Sequence, residues 1–367
     1  MGQGRESFRR HTRLIVGNAV LLVETTVARD RHSSKDPMSN RPLVVMLDDY
    51  EHAARRLADW SAVETLAELR ICQAPLRGDA LRDAVQDADA LLLMRDRTPV
   101  TAALIEAMPK LKYVAFTGTR NNALDLAALQ QRGVPVAFTE WGPSKESTCE
   151  LTWTLILAAI KRLPQAVRAL QGGQWRDGGA LGAVLHGERL GLVGLGEIGG
   201  RVARVAKAFG MDVVTWSPRM TPARAAEHGA RAVSLDELVQ TSKVVSLHLV
   251  MTDATRHLFD APRFAQMRSD AIFVNTSRAG LADEFALVAA LQAGRPGAAA
   301  LDVFTHEPLP VDHPLRALPN ALLSPHLGFV SQPVFEQFYA DMAEGVLAWL
   351  RGEAIPRCMP TPNTAAT

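Results

Sequence analysis

The chain has 367 residues, 47% hydrophobic and 22% charged, with 40 Lys and Arg against 39 Asp and Glu. That length suits two domains; the balanced charge, with no basic helix, argues against a nucleic-acid partner, and no apolar run is long enough to span a membrane. Cys72, Cys149 and Cys358 are far apart without C-x-x-C spacing, so neither a disulfide framework nor a zinc site is indicated, and a reducing cytoplasm fits.

Residues 1–37 carry Arg5, Arg9, Arg10, Arg13, Arg29 and Arg31 around a short apolar patch at 14–23. Gly17 and Asn18 interrupt that patch and no small-residue cleavage site follows, so a signal peptide is disfavoured. Met38 opens MSNRPLVVMLDD, a polar leader running into a strand, as the start of a globular enzyme should look. Residues 1–40 are therefore expected to be a disordered extension, and residues 1–37 an addition upstream of the true start.

Strands are expected at 43–47, 90–94, 113–116 and 134–138, alternating with helices at 50–57, 101–108 and 124–131. Such alternation implies a parallel sheet. Gly142-Pro143-Ser144 punctuates the chain, and an apolar helix over 147–163 follows, which Pro164 should kink or end.

Residues 189–217 read strand, glycine turn, helix, strand. Leu190 to Val193 suits a buried parallel strand. Gly194, Gly196 and Gly199 spell G-x-G-x-x-G. Apolar Ile198, Val202, Val205, Ala206 and Phe209 then recur at helical spacing, and Gly210 closes the helix. The first glycine permits the turn, the second lets backbone approach a pyrophosphate, and the third lets helix and strand pack closely. The helix N-terminus attracts the phosphates. A carboxylate normally follows about 20 residues on to bind the adenosine ribose. Here the second strand ends in Trp216-Ser217-Pro218-Arg219. Serine plus arginine would accept a 2′-phosphate, which leans the cofactor toward NADPH.

Further strands are expected at 244–249, 271–275, 298–301 and 322–323, a Ser234-capped helix at 235–239, and helices at 283–293 and 332–351, the last packing back on the first domain. Arg278, Glu307 and His326 fall at or beyond strand ends, which in an open α/β sheet converge on the dinucleotide crevice. Arg278 offers a planar fork for a carboxylate. His326 can exchange a proton near neutrality, and Glu307 can fix its tautomer. Such a trio suits hydride transfer to a 2-keto acid. His248 and His306 read as structural, and the spacing of His306, His313 and His326 fits no metal motif.

Five segments in order carry a resemblance: LGLVGLGEIGGRVARVAKAFGM, VVSLHLVMTDATRHL, FVNTSRAGLADE, AALDVFTHEPLP and LLSPHLGFV. Residues 41–354 are similar to the D-isomer-specific 2-hydroxyacid dehydrogenases. The resemblance implies an α/β protein of two domains with parallel sheets. A Rossmann-type nucleotide domain (144–326) would be inserted in a flavodoxin-like substrate domain (41–143 and 327–356). It implies catalysis by Arg278, Glu307 and His326. It also implies nicotinamide contacts from Asp302 and the Thr276 carbonyl, pyrophosphate contacts from the Glu197 and Ile198 amides, and substrate loops at Arg95 and Gly118. A homodimer through the nucleotide domains is implied as well. Two departures bear on specificity: Ser217 stands where NAD-dependent members carry Asp, and Arg120-Asn121-Asn122 replaces a more glycine-rich loop. The alternative is a member that works by dinucleotide-linked assembly, like the C-terminal-binding-protein corepressors; turnover of 2-keto acids discriminates. Formate dehydrogenase is disfavoured, because the histidine partner there is not a glutamate of an HEP motif.

Overall fold

The computed structural model describes residues 8–16, 19–27, 41–176 and 181–360. The chain divides into two compact units, Met1–Arg41 and Pro42–Thr367. In the first, β1 (Phe8–Val16) and β2 (Ala19–Val27) pair antiparallel, from Phe8 opposite Val27 to Val16 opposite Ala19. These strands fall within residues 1–40, the expected disordered extension; the rest of that stretch lies outside the described residues. The second run, AVLLVETTV, is rich in the Val and Thr that favour strands, and Gly-Asn between the two runs is a hairpin signal in sequence.

The second unit holds two parallel sheets. The first contains β3 (Leu43–Leu47), β4 (Glu68–Ile71), β5 (Ala90–Leu93), β6 (Tyr113–Phe116) and β7 (Val136–Phe138), in the order β4-β3-β5-β6-β7. Side chains alternate across a strand. Val44 and Met46 of β3 enter one core with Phe335, Phe338, Tyr339 and Met342. Val45 and Leu47 enter the opposite core with Val85, Ile105 and Leu129. Covering both faces explains why these strands read as unbroken apolar runs. Edge strand β4, ELRI, carries exposed Glu68 and was not expected.

The second sheet contains β8 (Arg189–Val193), β9 (Asp212–Trp216), β10 (Arg231–Ala232), β11 (Val244–Leu247), β12 (Ile272–Asn275), β13 (Ala298–Leu301) and β14 (Ala321–Leu323). Their order is β10-β9-β8-β11-β12-β13-β14, and every pairing is parallel. Strand order reverses between β8 and β11, the crevice where such sheets bind ligands.

Two helices tie the sheets together. Ser144–Ile160 packs on β12, β13 and the helix Glu197–Ala208. It ends before Pro164, which lies instead in the first turn of a new helix, Leu163–Gln171. The first turn lacks intrahelical partners for its amides, so proline is tolerated there. The 20-residue helix Gln332–Arg351 returns to the first sheet and supplies one of its faces.

Candidate active site

The glycine turn joins β8 to the helix Glu197–Ala208. Gly194 has φ +100°, and a Cβ there would lie 2.4 Å from the His248 carbonyl oxygen. A Cβ on Gly199 would lie 2.4 Å from the Gly194 carbonyl. Gly196 is the reverse case, with nothing within 4 Å of its Cβ position. It is also the helix N-cap and offers no side-chain acceptor. An uncapped helix N-terminus beside open space is an anion cradle, and these residues fit a dinucleotide pyrophosphate. The Glu197 carboxylate is paired with Lys145. Behind the turn, burial pushes the His248 imidazole down to about 4, and its Nε2 lies 2.9 Å from the Ser246 hydroxyl. That ring is neutral and structural.

Beyond β9, Ser217 is half-buried and Arg219 exposed. The Arg219 carbonyl accepts a hydrogen bond from Arg224. Its guanidinium makes no ion pair among the described residues.

On the other side of the switch point, His326 follows β14. Its Nδ1 lies 2.7 Å from Glu307 Oε2. Glu307 Oε1 accepts the Phe304 amide at 2.9 Å, which fixes the carboxylate plane. Burial disfavours the charged form of Glu307, but the His326 hydrogen bond, the His326 charge, the Phe304 amide and the Arg278 charge outweigh it. The carboxyl is therefore held below its usual range and is ionised, so Nδ1 carries the proton and Nε2 is left for chemistry.

Arg278 stands at the end of β12. Its backbone carbonyl accepts from Asn275 Nδ2 at 2.9 Å, and one guanidinium nitrogen donates to the Ser277 carbonyl at 2.8 Å. The side chain is exposed, and its charge acts on both Glu307 and Arg95. Thr276 is buried, with its hydroxyl 2.8 Å from that of Thr152 on the connecting helix.

Asp302, to which the resemblance gives a nicotinamide contact, is 1% exposed. Its carboxylate accepts from the Ser324 hydroxyl, the Leu327 amide at 2.8 Å and the Gly328 amide at 2.9 Å. The cause is the left-handed backbone at His326, φ +55°, a conformation that costs about 1–2 kcal/mol outside glycine. Amides buried by that turn need an acceptor, and Asp302 supplies it. Burial raises its carboxyl against these hydrogen bonds.

From the first sheet, Arg95 also has a left-handed backbone, φ +54°. Its Nη1 donates to the Thr117 carbonyl at 2.8 Å, and its Cζ lies 4.3 Å from the Trp141 ring centroid. Burial lowers Arg95 to about 10; Asp96 opposes that shift, while Arg278 and Arg97 add to it. It stays cationic at neutral pH. Gly118 has φ +79°, and a Cβ there would lie 2.3 Å from Arg95 Nη1. Asn121, from the departing loop, donates to the Arg95 carbonyl at 3.0 Å. The roles of Trp141, Thr117 and Phe329 carry no sequence signal, since each acts through contacts between segments distant in sequence.

The family model described as D-isomer specific 2-hydroxyacid dehydrogenase, NAD binding domain, matches residues 153–328. The chain is 37% identical over 286 residues to a glyoxylate reductase of Aeropyrum pernix, covering 76% of this chain and 84% of that protein. It is 36% identical over 302 residues to a D-3-phosphoglycerate dehydrogenase of Methanocaldococcus jannaschii, covering 82% of this chain but only 57% of that longer protein. The crystal structure of a phosphoglycerate oxidoreductase from Vibrio cholerae O395 superposes with a TM-score of 0.78 at 35% identity, covering 85% of this chain and 99% of that one. With a glycine turn built for a dinucleotide and a carboxylate-backed imidazole after the last strand of the same sheet, the chain belongs to the D-isomer-specific 2-hydroxyacid dehydrogenase family, and its second sheet forms the dinucleotide-binding domain.

Proposed function

We propose that the protein is an NAD(P)-dependent D-2-hydroxyacid dehydrogenase that interconverts a small 2-keto acid and its 2-hydroxy acid. The observation that carries this reading is the 2.7 Å contact of His326 Nδ1 with Glu307, with the Arg278 charge beside it. A bound nicotinamide dinucleotide supplies or accepts the hydride. In reduction, Arg278 holds the substrate carboxylate and polarises the carbonyl beside it. His326 gives the Nε2 proton to the carbonyl oxygen as it becomes an alkoxide. Glu307 stabilises the imidazolium before transfer and holds the ring in one tautomer. Arg95 and the backbone at Gly118 bind the substrate from the first sheet. Oxidation runs the same steps in reverse. Turnover of glyoxylate, hydroxypyruvate and pyruvate with each dinucleotide tests the reading; no oxidation or reduction with any pair would sink it.

We infer a preference for NADPH. No carboxylate stands at the end of β9 to repel a 2′-phosphate, and Arg219 is exposed without an ion pair among the described residues. Ser217→Asp should move the preference toward NADH by about tenfold or more, because one misplaced charge pair is worth over 1 kcal/mol in a half-buried site. Equal kcat/KM ratios before and after would mean another residue reads the ribose.

We also infer a homodimer through the nucleotide-binding domain, in a reducing compartment such as the cytoplasm. Along the helix Leu163–Gln171, none of whose residues is buried, Leu163 is 53%, Val167 43% and Leu170 58% exposed. Their i, i+4, i+7 spacing puts them on one helix face, and an exposed apolar face marks an interaction surface. Sedimentation equilibrium should give twice the chain mass; a monomer at micromolar concentration would remove the dimer.

A further inference from the structure

We propose that Phe329 is a positioning residue for His326, clamped in place by two arginines of the first sheet. Phe329 follows the acid/base histidine by three residues and is 9% exposed. Although it belongs to the histidine loop, its ring joins the core of the first sheet, stacked on Phe335 at 6.0 Å and 3° and beside Phe338 at 6.3 Å. It meets the His326 ring at 5.7 Å and 79°.

Two guanidinium groups flank the same ring, Arg95 Cζ and Arg97 Cζ each lying 5.9 Å from its centroid. Neither is free to drift. Arg95 Cζ lies 4.3 Å from the Trp141 ring centroid, and its guanidinium is bonded to the Thr117 carbonyl. Arg97 is bound by both Glu51 oxygens, at 2.6 and 3.0 Å, donates to the Asp48 carbonyl at 2.7 Å, and lies 4.5 Å from the Tyr50 ring. Fixed cations against an aromatic face hold that ring where it is.

The consequence falls on the imidazole. Among the described residues its directed partner is Glu307, through Nδ1. One hydrogen bond fixes a point on a ring and leaves rotation about that bond. An edge-to-face contact supplies the second constraint, so Nε2 keeps a single aim. Asp302 fixes the loop backbone, and Phe329 fixes the ring that the backbone carries. An acid that must meet a developing alkoxide within hydrogen-bond reach loses rate when its aim spreads.

This rests on His326 being the proton donor, so the test separates the two claims. Keto-acid reduction at saturating dinucleotide is measured for Phe329→Leu, Phe329→Tyr, Phe335→Leu and His326→Ala, with melting curves for each. Phe329→Leu should lower kcat about tenfold with KM within about twofold, since the loss is of orientation and not of binding. Phe329→Tyr, which keeps the ring, should recover most of the rate. Phe335→Leu, in the same stack, should leave kcat near that of the parent. Unchanged kcat in Phe329→Leu, an equal loss in Phe329→Tyr, or an equal loss in Phe335→Leu would overturn the proposal. If Phe329→Leu does not fold, Phe329→Met takes its place under the same criteria. Full turnover in His326→Ala would sink the proton-donor reading itself, whereas a dead His326→Ala beside an unaffected Phe329→Leu would sink only the positioning role.

Discussion

His326→Ala is expected to lower kcat for keto-acid reduction by about 10²- to 10⁴-fold, the range for losing a general acid, while dinucleotide affinity changes little. The imidazole sits across the switch point from the glycine turn and contacts Glu307 and Phe329. Removing it takes a proton from the transition state without touching the pyrophosphate cradle. Fluorescence titration of the dinucleotide, set beside steady-state rates, checks both halves. The pH profile adds a signed expectation. Glu307 is held below the usual carboxylate range, so its support for the imidazolium is complete at and above that range. The support is lost only as pH falls through the lowered value. In Glu307→Gln, an acid limb assigned to this carboxyl should vanish from the profile of kcat.

Arg278→Ala should raise KM for keto acids and lower kcat together, with kcat/KM falling by about 10²- to 10³-fold. A guanidinium fork binds a carboxylate through two parallel hydrogen bonds and aligns the neighbouring carbonyl, so binding and orientation fail at once. Arg278→Lys restores the charge but not the fork, and should recover KM better than kcat. Asn275 and Ser277 hold the Arg278 backbone and side chain from within one turn, so the variant should melt near the parent temperature. A large loss of stability would show that Arg278 supports the loop more than the substrate.

Much of the second sheet was legible because its information is local. Gly194 and Gly199 impose a turn whose packing leaves no room for a side chain at either position, and the flanking apolar runs have the lengths of buried strands. Ser234 caps its helix through the Glu237 amide, as the sequence implied. Glu68–Ile71 escaped notice because an edge strand need not be apolar, and Arg231–Ala232 because two residues carry no period. At the site, His326 and Glu307 meet as expected from their place after strands. The surroundings of Arg95 were not legible. Its contacts with Trp141, Asn121 and Phe329 span separations at which sequence carries no spacing signal. For Asp302 a motif supplies the position, and packing alone shows that its carboxylate accepts the Leu327 and Gly328 amides.

The helix Gln332–Arg351 has a bearing on how the chain is made. Phe335, Phe338, Tyr339 and Met342 cover one side of a sheet whose strands end at Phe138. During synthesis that side stays bare while nearly two hundred further residues emerge, including the whole of the second sheet. Domains fold as units from the N-terminus onward, so the later sheet is complete before the earlier one. A nascent chain released short of residue 332 would present Val44, Met46, Leu92 and Tyr113 to solvent, a natural signal for chaperone capture.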